Sequence, residues 1–152
     1  MMGGHENNWH LNSTPGIMAN DNILISTTIA PWLTVQNCKA AAGFYTIAFG
    51  AIETYRLESP DGALIVKLSV NGAEFWVSDG NSEKERLSPE LLGGGTIRMI
   101  LTVSNPEEVF ANALKAGATE IFPVGEEHGW KLGRIADPFG LHWEIGHPVL
   151  GQ

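Results

Sequence analysis

The chain has 152 residues, 43% hydrophobic and 17% charged, a composition that fits one globular domain and excludes wholesale disorder. Nine basic against seventeen acidic residues leave a net charge of −8 without any Lys/Arg cluster. Nucleic acid and anionic membrane surfaces are therefore not expected as partners. The longest uncharged run, 22–38, contains Asn, Ser, Thr and Pro31 and falls short of the roughly 20 apolar residues of a membrane span. The N-terminal region lacks the basic-then-apolar pattern of a secretory signal, and the one cysteine cannot form an internal disulfide. A cytoplasmic protein is expected.

Residues 1–22 show no hydrophobic periodicity and read as a disordered tail, within which His5 and His10 form no convincing metal pair. Beyond it the chain repeats itself. Leu33-Thr34-Val35-Gln36-Asn37 returns 68 residues later as Leu101-Thr102-Val103-Ser104-Asn105. Gly50-Ala51-Ile52-Glu53 returns as Gly117-Ala118-Thr119-Glu120. Phe75-Trp76-Val77 is mirrored by Trp143-Glu144-Ile145. Three matches in one order indicate two copies of a supersecondary unit.

Each copy opens with a β-branched or alternating run, 26–35 and 96–103, that predicts a strand. Asn37 and Asn105 occupy helix N-cap positions, the second with Pro106 and Glu108 in a capping-box arrangement. Helices are expected over 38–49 and 106–116, closed by Gly50 and Gly117. Three strands follow each helix: 52–58, 63–70 and 73–78 in the first copy, and 120–123, 131–136 and 141–146 in the second. Turns fall at Pro60-Asp61-Gly62, Asn71-Gly72 and Asp137-Pro138-Phe139-Gly140. The expected fold is α+β: two βαβββ modules, 23–79 and 96–148, joined by a connector at 80–95. They would form one compact domain over 23–152 whose mixed sheet curves into a cup with the helices outside.

Two such modules, with Gly133-Arg134-Ile135-Ala136-Asp137-Pro138-Phe139-Gly140-Leu141-His142-Trp143-Glu144 in the second and Phe44-Tyr45 ahead of Gly50 in the first, resemble the vicinal oxygen chelate superfamily. That group includes glyoxalase I, bleomycin-resistance proteins, fosfomycin-resistance transferases and extradiol dioxygenases, and the likeness spans about residues 27–148. The resemblance implies a cup, built within one chain or across a homodimer; a homodimer is expected here. It also implies a divalent metal held by two first-strand residues and two last-strand residues. Those positions are Ala30, Arg98, Trp76 and Glu144, of which only Glu144 offers a donor. The pattern departs from the metalloenzymes, and no resident metal or other cofactor is expected.

Strand alternation then assigns the cup-facing residues. Trp32, Thr34, Glu74, Trp76 and Ser78 face inward from the first module, and Arg98, Ile100, Thr102, His142 and Glu144 from the second. The opposite faces are uniformly apolar, as helix-packed surfaces should be. One reading makes Trp32 and Trp76 a stacking platform for a flat or apolar ligand oriented by Arg98 and the acids. The bland alternative has the indoles filling the cup and Arg98 paired with Glu144. The expected function is a bleomycin-resistance-like small-molecule-binding protein that needs no metal. The alternative is a lyase, isomerase or dioxygenase with a displaced divalent metal on Glu74, His142 and Glu144, the last two also being candidates for an acid–base pair. Cys38, behind a helix cap, reads as a core residue unless the helix dipole activates it. The segment 125–130 is either a lid or a solvated hairpin tip.

Overall fold

The computed structural model of the chain describes residues 18–19, 22–80 and 87–149. The expectations for the remainder of the 1–22 tail, His5 and His10 included, and for 81–86 of the connector fall outside the described residues. Residues 1–30 form one unit, which contains a small antiparallel pair, β1 (Met18–Ala19) and β2 (Asn22–Ile23). The second unit, 31–152, holds both modules.

In the first module β3 (Trp32–Val35) leads into α1 (Cys38–Phe49), then β4 (Ile52–Glu58), β5 (Leu64–Val70) and β6 (Ala73–Asp79). After the connector, β7 (Arg98–Thr102), α3 (Pro106–Lys115), β8 (Thr119–Glu127), β9 (Trp130–Ala136) and β10 (His142–Pro148) repeat the plan. The connector itself carries one further turn, α2 (Pro89–Leu92). The two sheets have the same topology, β3-β6-β5-β4 and β7-β10-β9-β8, with the first and last strands of each module parallel. Shifting the Trp32–Trp76 register pair by 68 gives Ile100–Glu144, which is also a register pair. The repeat is therefore structural. The fold is α+β, two unclosed four-stranded walls of a cup-like architecture.

Local chemistry explains the boundaries. The Asn37 side chain accepts from the Ala40 N–H at 3.0 Å and starts α1, and Gly50, at φ 71°, ends it in a left-handed conformation open to glycine. Asn105 does not cap with its side chain; its amide instead donates to Glu108 Oε2 at 3.1 Å, so the expected capping box is replaced by a side-chain pair. The first strand is shorter than the expected 26–35. The Pro31 carbonyl still accepts from the Trp76 N–H at 2.9 Å, but proline has no N–H to extend the ladder upstream. Ser88 caps α2, with Pro89 in its first turn, a helical turn within the stretch expected as a plain polar connector. Segment 125–130 is a hairpin tip between β8 and β9, turning at His128 (φ 52°) and Gly129 (φ 80°).

The core lies on the helix side of both sheets. Leu33, Val35, Val66, Leu68, Phe75 and Val77 bury against α1, and Met99, Leu101, Ile135, Trp143 and Ile145 form the corresponding face of the second sheet. Each such side chain contributes about 1.5–3 kcal/mol when fully buried. The helices α1 and α3 pack on each other. Phe75 and Trp143, from the helix-side faces of β6 and β10, lie 5.6 Å apart, and Tyr45 touches both at 5.3 and 5.4 Å. Thus the two helix-side faces share one core, and the opposite faces point away from it. Asp79 ties the first module together: its carboxylate accepts from the Cys38 and Leu64 N–H groups, both at 2.8 Å.

Candidate functional site

The open faces carry the side chains that alternation assigned to the cup. On the first sheet, Trp32 and Trp76 stand in register on neighbouring parallel strands and stack, with centroids 5.5 Å apart and planes 15° from parallel. Trp32 remains 51% exposed. Its indole N–H donates to Ser78 Oγ at 2.8 Å, which fixes the ring orientation although one of its faces is open. Tyr55 meets Trp76 edge-on at 5.6 Å, and the Lys67 ammonium lies 5.2 Å from the Trp76 ring while pairing with Glu74 at 3.2 Å. Thr34 follows Trp32 on the same face, half-buried.

On the second sheet, Glu144 is 9% exposed; its Oε2 accepts from Arg134 Nη2 at 3.0 Å and forms an ion pair with Arg98 Nε at 2.6 Å. The Arg134 guanidinium also lies 5.0 Å from the Phe122 ring. His142 is half-buried and in register with Arg98 on the neighbouring strand, and Ile100 is 62% exposed beside Glu144.

The structure thus joins Trp32, Thr34, Trp76 and Glu74 on one wall, and Arg98, Ile100, His142 and Glu144 on the other. It does not gather the displaced metal set. Glu74 belongs to the first sheet and is held by Lys67, whereas Glu144 belongs to the second and is held by two guanidinium groups. Among the described residues no three His, Cys, Asp or Glu side chains cluster as a metal site. Glu74 and Ile100 do share the lining of a cleft of about 190 Å³ where the sheets approach, with Phe75 and Trp143 beneath them. A larger, open cleft of about 340 Å³ runs beside Trp32 and Thr34 and is also lined by Leu92, Ile97 and Leu141.

Sequence reasoning missed Lys67 and Arg134 as members of these faces. Both sit in register with a named residue, Lys67 with Trp76 and Arg134 with Glu144. For Arg134 the signal was present, because a hairpin turning at Pro138-Phe139 places residues 134 and 144 opposite each other. Cys38 is not an activated thiol. Burial, reinforced by the Asp79 carboxylate, pushes its pKa up to about 12, and Sγ donates to the Val77 carbonyl.

Fold and open faces together define a tandem βαβββ protein with aromatic and charged side chains displayed on unclosed sheets. No protein-family model matches the chain. It is 36% identical over 132 residues to an uncharacterized protein of Mycobacterium tuberculosis, the match covering 84% of this chain and 78% of that one; the Mycobacterium bovis counterpart is equally similar, with 87% covered. Among solved structures, a gene product of Arabidopsis thaliana superposes with TM-score 0.65 at 32% identity, over 81% of this chain and all of that one. The fosfomycin resistance protein FosX of Listeria monocytogenes matches with TM-score 0.63 at 14% identity, over 84% and 97% of the two chains. A glyoxalase-related enzyme of Fulvimarina pelagi matches with TM-score 0.61 at 22% identity, over 81% and 88%. The chain belongs to one family with the mycobacterial proteins and the Arabidopsis gene product, and it shares its fold with FosX and the glyoxalase-related enzyme.

Proposed function

We propose that this protein binds a small apolar or aromatic molecule against the Trp32–Trp76 platform, without a metal, and acts as a homodimer. The observation that carries the reading is the stacked indole pair. A half-exposed tryptophan with its N–H already satisfied is pre-ordered, so a flat ligand gains apolar contact without the cost of fixing the ring. Lys67, beside the Trp76 ring, adds a polar group of the kind with which such sites orient a ligand.

The residues do not fit a resident divalent cation. Of the positions that the superfamily resemblance assigns to metal ligands, Ala30, Trp76 and Arg98 have no usable lone pair, and the one carboxylate, Glu144, already neutralises guanidinium charge. A divalent cation there would stand beside two like charges.

The direction of the faces supports the homodimer reading. Trp32, Ile100 and Phe122 leave 51%, 62% and 37% of their surface exposed on walls directed away from the common core. A second copy laid wall to wall would cover them and close the cup. No helix of the described residues is long and apolar enough to cross a membrane, and the one cysteine is buried and free, which is compatible with a cytoplasmic setting.

The test is tryptophan quenching by flat apolar probes such as indole and naphthalene derivatives, run alongside light scattering for the oligomeric state. Trp32→Ala and Trp76→Ala should each weaken binding by about tenfold, the loss expected for roughly 1–1.5 kcal/mol of ring stacking. Unchanged affinity in both variants would overturn the reading.

A further inference from the structure

The ion pairs of the described residues are balanced in favour of acid, with one exception. Arg56 lies between Glu53 and Glu58, Lys67 faces Glu74, and Lys131 faces Glu107, so each cation meets at least one carboxylate. At Glu144 the ratio reverses. Two of the four arginines of a chain with net charge −8 converge on a single carboxylate, and indeed on a single oxygen of it. Sharing one acceptor at 2.6 and 3.0 Å forces the two guanidinium groups within a few ångströms of each other. Glu144 is nearly buried, Arg134 is 22% exposed and Arg98 54% exposed, so the surplus charge is presented at the surface through Arg98. Arg134 Nε is buried with no acceptor, which leaves this guanidinium incompletely satisfied within the chain. Around the pair stand His142, in register with Arg98, and the apolar Ile100 and Phe122.

We infer that the Arg98–Arg134 pair on the second sheet is an oxyanion-binding site, and that the ligand is a small organic acid whose carboxylate or phosphoryl group replaces water on the free donors of Arg98. A guanidinium whose Nε is engaged keeps its terminal N–H groups for a planar two-oxygen acceptor. Glu144 holds both arginines in place and neutralises one of their two charges, so the site attracts a single negative charge. Ile100 and Phe122 then lie against the apolar part of the acid. The inference rests on the small-molecule reading above, and it specifies the chemical class of ligand.

The test follows the Arg Nε–H resonances of the full-length protein by NMR, at constant ionic strength set with chloride. The probes are inorganic phosphate, benzoate and its neutral isostere benzamide, with tryptophan quenching recorded in the same samples. Benzoate should shift the Arg98 Nε–H saturably, at a half-saturation at least tenfold below that of benzamide. Arg98→Gln, an exposed substitution, should abolish the shift at Arg134, while Arg98→Lys should retain part of it. Glu144→Gln, checked for an unchanged near-ultraviolet circular dichroism spectrum, should tighten benzoate about tenfold because the competing carboxylate is gone. A response from benzoate and benzamide alike that persists in Arg98→Gln overturns the oxyanion site while leaving the aromatic platform standing. Benzoate shifts at Arg98 without any tryptophan quenching support the oxyanion site and count against the platform, and phosphate shifts alone support the oxyanion site. No saturable shift at either guanidinium with phosphate or benzoate overturns the inference outright.

Discussion

The Tyr45 hydroxyl donates to Asp137 Oδ2 at 2.5 Å, joining the helix of the first module to the last turn of the second across 92 positions of sequence. Asp137 is 5% exposed and also accepts from Trp143 Nε1 at 2.9 Å and from the Phe139 and Leu141 N–H groups at 2.9 and 3.0 Å. One buried carboxylate thus shapes the Asp137-Pro138-Phe139-Gly140 turn and anchors the other module to it. Its oxygens are satisfied by four donors, which is what makes a buried charge tolerable.

Tyr45→Phe removes one of those donors and keeps the ring packing, so it should cost about 1–3 kcal/mol, the range for a hydrogen bond to a charged acceptor. Urea unfolding followed by tryptophan fluorescence measures it. A midpoint equal to that of the parent would show that the link between modules contributes nothing to stability.

Stability should fall in alkali. Burial, then the Asp137 carboxylate, holds the Tyr45 phenol well above its ordinary value, as burial does for the Cys38 thiol, pushed up to about 12. In the unfolded chain the same groups lose protons near 9 and 10. Folded values above unfolded ones mean a contribution that is complete below about pH 9 and lost as the pH climbs through 9 to 12. The denaturant midpoint should be level through neutral pH and decline beyond 9, with the earliest part of the decline missing in Cys38→Ala. A profile level to pH 11 would contradict the buried-thiol assignment.

Gly133 is in the second module because α3 comes too close for anything larger. A Cβ there would lie 2.8 Å from Phe110 Cε2 and 2.8 Å from the Val124 backbone nitrogen, and the latter cannot move aside cheaply. Gly133→Ala should destabilise by about 1–3 kcal/mol, the usual penalty of overpacking. Thermal unfolding without loss of cooperativity and with an unaltered midpoint would argue that the strand and helix shift freely.

Divalent metals should leave the protein unmoved. A site with dissociation constant a thousandfold below the added metal would contribute about 4 kcal/mol and raise the melting temperature visibly. Thermal shifts with Mn, Fe(II), Ni, Zn and Mg, before and after chelation, are expected to be flat. A rise with one metal that disappears in Glu144→Ala would overturn the metal-free reading.

Much of this molecule was legible in its residues, and the reasons are local. The alternation of apolar and polar side chains along Trp32–Val35 and Arg98–Thr102 follows from the two-residue period of any strand, so which residues share a face could be assigned without knowing what the face meets. Asn37 and Gly50 delimit α1 through hydrogen bonding and backbone freedom within a few residues. Asn105 carried the same signal but does not cap with its side chain, whose amide nitrogen donates to Glu108 instead.

What tertiary structure decided depends on distances between segments far apart in sequence. That Arg98 and Arg134 meet on one oxygen of Glu144 required the parallel pairing of β7 with β10 and the antiparallel pairing of β9 with β10 to be in force together. That Glu74, His142 and Glu144 form no metal cluster among the described residues goes with their places on two different sheets, Glu74 paired with Lys67 and Glu144 with two guanidinium groups. Periodicity shows which side of a strand is apolar; only the packing of one sheet against another through their helices determines where the polar side points.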